Sequence, residues 1–191
     1  MQSTSDTEVI LHLVARARKN RFIDRFVEGL RQLEGAYSFV ALTNKKLIGA
    51  RDPLGIRPLV IGMLDGAPIL ASETCALDII GAKYVRDVEN GEVVVFDDEG
   101  MHSHKPFPPM AARPCIFEYI YFARPDSIVG GRPVYAVRKA MGGQLAREAQ
   151  VEGVVKLLVL VGKDGKVKNI KVEKSIQMLD ESAKAAAMAA S

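Results

Sequence analysis

The chain has 191 residues, 48% of them hydrophobic, enough apolar material for one substantial core and a small second unit. Its 26 Lys plus Arg nearly balance 23 Asp plus Glu; the basic residues are scattered and do not alternate with aromatics, so no footprint for nucleic acid is expected. Met1 to Thr4 carry no basic segment leading into an apolar run, and no apolar stretch is long enough to span a bilayer, which argues against secretion and against a membrane span.

Ser5 followed by Glu8 has capping-box spacing, and Val9, Ile10, Leu13, Val14 and Ala17 then recur at helical period. A second helix is predicted over Phe22 to Leu33, with Phe22, Ile23, Phe26, Val27, Leu30 and Leu33 on one face and Gly35 as its C-terminal stop. Beyond it the period becomes that of strands: Tyr37 to Leu42, Leu47 to Arg51, and a hairpin of Leu59 to Leu64 with Ile69 to Ser72 through Asp65-Gly66. A short helix over Thr74 to Ile80 precedes strands at Tyr84 to Val88, Glu92 to Phe96 and around His102. The natural reading is an antiparallel meander, with residues 5 to 104 forming one sandwich fragment.

Pro106, Pro108, Pro109 and Pro114 mark a boundary, because proline cannot continue a central strand. An aromatic strand over the segment from Arg113 and a helix from about Pro133 to Ala149 follow. Composition shifts at Gln150, where a hairpin is predicted from Val154–Val161 and Val167–Val172 about Gly162-Lys163-Asp164-Gly165, then an Ala-rich helix opening at Leu179-Asp180. Val167, Ile170 and Val172 are expected to pack with Val155, Leu157 and Val159.

Arg-Pro-Cys-Ile-Phe-Glu-Tyr-Ile-Tyr-Phe-Ala-Arg-Pro-Asp-Ser, from Arg113 to Ser127, closely resembles the hinge between the two halves of amidophosphoribosyltransferases. Ser5-Asp6-Thr7-Glu8-Val9-Ile10, Leu33-Glu34-Gly35-Ala36-Tyr37, Asp52-Pro53-Leu54-Gly55-Ile56-Arg57-Pro58 and Ala71-Ser72-Glu73-Thr74-Cys75-Ala76 resemble the same family in the same order. The resemblance covers about residues 3–148, a middle segment of that enzyme. It implies an α+β chain with a partial α/β/β/α sandwich of the N-terminal-nucleophile hydrolase type, followed by a small β-hairpin plus helix unit. The domain division expected is 1–106 for a partial glutaminase (type 2 glutamine amidotransferase) domain, 107–150 for a hinge strand and helix leading toward a phosphoribosyltransferase domain, and 151–191 for the tail. That tail resembles the start of a TonB C-terminal domain. One family is cytoplasmic and the other periplasmic, so the sequence reads as a chimera, with cytoplasmic localisation expected from its longer part.

The resemblance implies glutamine-dependent formation of phosphoribosylamine, the opening step of purine synthesis, driven by an N-terminal cysteine nucleophile. Residues 1 and 2 are Met and Gln, so no catalytic residue is assigned and the chain is expected to be inactive alone. The alternative is a non-enzymatic protein whose tail binds a partner by strand addition. Asp6 is the one family site residue carried over: the resemblance gives its carboxylate to the α-ammonium of glutamine, while from the residues alone it could simply cap the helix, where a carboxylate is also favoured. Full family enzymes use Mg, and some carry an iron-sulfur cluster at a position matching Cys115. Cys75 and Cys115 supply neither a disulfide framework nor a four-cysteine set, so no cofactor and no metal are assigned to this chain.

Several apparent motifs read as local structure. Asn90-Gly91 is expected to be a hairpin turn, and Asp97-Asp98 after Val93–Phe96 a polar turn rather than a phosphoribosyl site. Cys75 is expected to be a buried hydrophobe, and His12 to pack beside the apolar helix face. His102 and His104 alternate on a strand with no third ligand in view. Asp52, Arg57 and Pro58 are expected to fix the turn between core strands, with Arg57 in an internal salt bridge. Unpaired strand edges are expected to cause self-association.

Overall fold

Val93, Val94, Val95 and Phe96 are all buried, and the fold covers both sides of this run. Successive strand residues point to opposite faces, so Val93 and Val95 enter a core shared with helices while Val94 and Phe96 enter a core between two sheets. The computed structural model describes residues 5–148, 154–161, 166–176 and 180–189. They divide into two compact units, Met1–Arg138 and Lys139–Ser191.

In the first unit α1 (Glu8–Arg16) and α2 (Phe22–Leu30) precede β1 (Ser38–Leu42) and β2 (Leu47–Arg51). β3 (Val60–Leu64) and β4 (Ala67–Ala71) form a hairpin, and α3 (Thr74–Ile79) leads to β5 (Lys83–Asp87), β6 (Val93–Asp97) and β7 (Gly100–His104). One sheet has the order β1-β2-β6-β7 and the other β4-β3-β5, with every pairing antiparallel. Ile10 and Val14 of α1 and Phe26 and Leu30 of α2 pack on Ile48, Ala50, Val93 and Val95. Between the sheets, Leu59, Ile61 and Val88 meet Val94 and Phe96, and Leu77 of α3 closes the far face against Val60 and Ala82. The layers are therefore helix, sheet, sheet, helix, as the family resemblance implies, and burying a side chain such as Leu30 or Leu77 is worth about 1.5–3 kcal/mol.

The meander is the first expectation to be corrected. After β5 the chain leaves the second sheet, and β6 inserts between β2 and β7 of the first. A strand apolar on both faces needs cover on both sides, which a one-sided meander cannot supply. Asn90-Gly91 is consequently no hairpin turn but the crossover between sheets, where the Gly91 amide donates to the Asp52 carbonyl at 3.0 Å. The Asp65-Gly66 hairpin forms as expected, with positive φ at both residues, 49° and 83°.

Three helix expectations also change. α1 begins at Glu8 with Thr7, not Ser5, at its N-cap and no side-chain cap bond. α2 stops at Leu30 rather than Leu33: Gln32 and Leu33 amides fold back in short turns onto the Gly29 and Leu30 carbonyls, and Gly35 lies in the link to β1. His12 is exposed, with Nε2 3.0 Å from Glu8 Oε1, because it lies one turn beyond Glu8 on the helix's outer side.

The aromatic segment expected as a strand is instead a single wide helical turn, Glu118–Phe122, closed by the Ala123 amide on the Glu118 carbonyl at 3.0 Å. This π-type turn brings Glu118 and Phe122 close together, whereas in a strand they would share a face about 13 Å apart; here both touch Arg57. A small ladder, β8 (Ile128–Val129) with β9 (Arg132–Pro133), then leads into α4 (Val134–Glu148).

In the second unit β10 (Lys156–Val161) and β11 (Val167–Lys174) form the expected hairpin, with Leu157 opposite Val172 and Val159 opposite Ile170. α5 (Asp180–Ala189) starts where the Asp180 carboxylate accepts the Ile176 amide at 2.8 Å and the Ser175 hydroxyl. The expected Gly162–Gly165 turn, the shift at Gln150 and the helix opening at Leu179 lie outside the described residues. Among the described residues no helix is long and apolar enough to cross a membrane.

Candidate functional site

A cleft of the first unit, about 840 Å³, opens between the start of α1 and the beginning of β1 on one side and the Arg57–Pro58 and Ser72–Glu73 segments on the other. Asp6, Glu34, Glu73 and Glu118 line it, and Arg57 is the cationic side chain among its lining residues. Acidic side chains therefore outnumber basic ones along its wall.

Asp6 is exposed at the cleft mouth, ahead of the first turn of α1. Its carbonyl accepts the Val9 amide at 3.1 Å and its carboxylate takes the Thr7 hydroxyl at 3.5 Å. The N-cap position of α1 is Thr7, and its side chain makes no cap hydrogen bond.

The opposite wall is fixed by the turn between β2 and β3. Asp52, fully buried, accepts the Leu54 and Ile56 amides on its carboxylate, and Arg51 donates to the carbonyls of Gly55, Arg57 and Val88. Gly55 has φ +62°, and a Cβ there would lie 1.9 Å from Asn90 Oδ1, so only glycine lets the crossover residue pack onto this turn. Arg57 is thereby directed at Glu118, Nη1 to Oε1 2.9 Å, with its guanidinium 4.4 Å from the centre of the Phe122 ring. Burial pushes the Glu118 carboxyl up, Arg57 pulls it down, and Glu73 pushes it up again, leaving it above its ordinary value. The salt bridge expected for Arg57 is present; its partner, far away in sequence, was not foreseen.

Glu73 explains the chemistry of the Ala-Arg-Pro-Asp-Ser segment. Its Oε2 accepts the Arg124 amide at 2.7 Å and the Ser127 hydroxyl at 2.8 Å, and Thr74 Oγ1 accepts the Ile128 amide at 2.8 Å. Arg138 from α4 donates to the Ala123 carbonyl at 2.8 Å. The segment is thus clasped to the start of α3 and to Arg138 of α4.

Neither cysteine lines the cleft. Cys75 is 3% exposed and its thiol is pushed up, chiefly by burial and further by Glu73, so it is the inert buried residue expected and not an activated nucleophile. Cys115 is half-buried, its amide on the Ile56 carbonyl. An iron-sulfur cluster does not fit this donor set, which offers two thiols, one sealed in the core.

Asp97-Asp98 forms the polar turn between β6 and β7, with the Glu99 amide on Asp97 Oδ1 at 3.1 Å. Here the sequence reading missed a grouping: His102 meets Asp97 and Glu99 rather than His104, their ligand atoms lying within 4.8 Å of one another. The β6–β7 register, which sets Val95 opposite His102, is the signal that could have found it. Lys46 already pairs with Asp97, and the hydrogen bond from its ammonium is the main cause holding that carboxyl below its ordinary value.

A glutamine amidotransferase domain model matches residues 1–78, and a model of the Gram-negative bacterial TonB protein C-terminal region matches residues 144–191. Amidophosphoribosyltransferase of Rhizobium etli is 59% identical over 159 residues, covering 81% of this chain and 32% of the relative. The chloroplastic enzyme of Glycine max is 51% identical over 78% of this chain and 26% of its own length. Among solved structures, glutamine phosphoribosylpyrophosphate amidotransferase from B. subtilis, complexed with ADP and GMP, superposes with a TM-score of 0.75 at 43% identity, over 86% of this chain and 36% of that one. A structure described as the allosteric regulatory enzyme of purine biosynthesis gives 0.76 at 35% identity, over 95% of this chain and 43% of that one. The chain spans about a third of the length of the curated relatives it matches. Over some four-fifths of its residues the chain is similar, in sequence and in fold, to part of the amidophosphoribosyltransferases, and residues 1–78 match a glutamine amidotransferase domain.

Proposed function

We propose that the chain supplies the ammonium-binding wall and the hinge of a glutamine pocket belonging to an amidophosphoribosyltransferase, the enzyme that forms phosphoribosylamine from phosphoribosyl pyrophosphate with glutamine as nitrogen donor. The observation that carries this reading is the position of Asp6, which lines a cleft together with Glu34, Glu73 and Glu118 and whose carboxylate accepts the Thr7 hydroxyl. There its carboxylate receives the α-ammonium of glutamine in a charge-assisted hydrogen bond. The Arg57–Glu118 pair and the Glu73 clasp hold the far wall, so the amide end of the substrate meets a fixed surface. Amide hydrolysis needs a nucleophile, and with Cys75 sealed in the core and Cys115 outside the cleft the chain alone releases no ammonia. The relatives favour this reading over a TonB-like binding module. Cytoplasmic localisation is part of the same proposal.

The test is glutamate release from glutamine, measured with the chain alone and with a full-length relative added. No turnover by the chain alone is expected; turnover that persists in a Cys75→Ala, Cys115→Ala variant would show a nucleophile of another kind and overturn the proposal.

A further inference from the structure

Ala123, Val129 and Val134 form a small apolar core of their own, with Tyr119 against it, separate from the cores of the sandwich. The start of α4 completes this piece: Arg138 donates to the Tyr119 and Ala123 carbonyls at 2.5 and 2.8 Å, and the Val134 and Tyr135 amides donate to the Ser127 and Pro125 carbonyls at 2.9 and 3.1 Å. The bonds that join it to α3 and to Arg57 are polar. Glu73 Oε2 takes both the Arg124 amide and the Ser127 hydroxyl, Thr74 Oγ1 takes the Ile128 amide, and Glu118 meets Arg57. Polar bonds can be exchanged for bonds to water, whereas an apolar core cannot open without exposing its surface, so this joint yields before either core does. Cys75 lies at the joint, buried, with its Sγ 3.6 Å from the same Glu73 oxygen. The Ser127 hydroxyl of the docked piece is among its polar neighbours.

We propose that Glu73 is a latch: residues 118–128, with the start of α4, undock from α3 as one piece while the sandwich stays folded, and undocking uncovers the Cys75 thiol. Glu118 and Phe122 belong to the same piece, so its release also withdraws them from Arg57 and changes the wall of the cleft that all three line. A chain that binds no glutamine carries the same latch, because every bond in it is made within the protein.

Amide hydrogen exchange on the full chain tests this, with iodoacetamide labelling of Cys75 in a Cys115→Ser background as the second readout. In wild type the Arg124 and Ile128 amides are expected to exchange faster than the amides of β6, which open only with the sandwich. Glu73→Gln and Thr74→Val should each speed exchange at Arg124 and Ile128 by about fivefold or more, since each weakens a bond that the docked piece makes and the undocked piece lacks. Ile48→Val, in the helix-facing core, should speed exchange in β6 and leave Arg124, Ile128 and Cys75 unchanged, because its contacts survive undocking. Glu73 itself pushes the thiol up, so labelling is read in Thr74→Val, which keeps that carboxylate and should label about fivefold faster or more. Should Thr74→Val fail a circular dichroism check of its fold, Ser127→Ala replaces it, since it removes a donor to Glu73. Exchange at Arg124 and Ile128 as slow as in β6, no response to Glu73→Gln, acceleration of the whole set by Ile48→Val, or a Cys75 labelling rate that does not follow Ile128 exchange would each overturn the proposal.

Discussion

Arg57 Nη1 stands 2.9 Å from Glu118 Oε1, joining the turn after β2 to the wide helical turn of the hinge segment. The carboxylate side chain is 6% exposed and the guanidinium 40%, so the two ends of this pair are unequal. Removing Arg57 strands a carboxylate in the protein, whereas removing the charge of Glu118 leaves an arginine that water can reach. Arg57→Ala is therefore expected to cost about 2–3 kcal/mol, below the range for fully buried pairs because solvent screens the arginine. Glu118→Gln should cost about 1 kcal/mol. Urea unfolding of the three proteins measures the difference; equal losses would mean that the pair acts symmetrically and that burial does not set its energetics.

The buried carboxylate of Glu92 ties the two sheets together. It accepts a bidentate contact from Arg86 on β5, at 2.7 and 2.8 Å, the Ser103 hydroxyl on β7 at 2.7 Å and the Glu89 amide at 2.7 Å. Burial alone pushes this carboxyl up, but the bonds from Arg86, Ser103 and Glu89 outweigh it and hold the group below its ordinary value. A depressed carboxylate contributes stability that is present above its unfolded-state pKa and lost as pH falls through the folded-state value. Wild type should lose stability on acidification below the ordinary carboxylate range. Glu92→Gln should be about 3 kcal/mol less stable at neutral pH and show a shallower acid slope. Unfolding curves collected across pH decide this, and an unchanged slope would assign the acid sensitivity to other carboxylates.

Asp6→Asn should leave the fold intact, within about 0.5 kcal/mol, because the side chain is exposed. Glutamine binding by the chain alone should be too weak to measure in either protein. One charge-assisted hydrogen bond contributes about 1.5–3 kcal/mol, whereas a millimolar complex needs about 4 kcal/mol. Calorimetry showing millimolar or tighter binding that Asp6→Asn weakens by about tenfold or more would mean that the remaining contacts of the pocket are supplied within this chain.

Much of this protein was legible from local pattern. Leu47–Arg51 was placed to the residue, the Asp65-Gly66 hairpin follows from two residues that tolerate positive φ, and the α1 and α2 faces follow from helical period. The burial of Cys75 and the internal role of Arg57 were also within reach, since each rests on the ordinary behaviour of a residue type. Motif order alone pointed to the family.

What local pattern could not decide was which strand lies beside which. Val93–Phe96 is apolar on both faces, but only the assembled sheets show that it sits between β2 and β7 and that Asn90-Gly91 therefore crosses between layers. Nor could it show that Arg57 reaches Glu118, that Glu73 holds Arg124 and Ser127, or that His102 faces Asp97 and Glu99. Each of these contacts joins residues brought together by chain reversal, and the Arg57–Glu118 contact further depends on a carboxylate buried by the fold. Secondary structure was encoded by nearest neighbours along the chain, whereas the site was decided by neighbours in space.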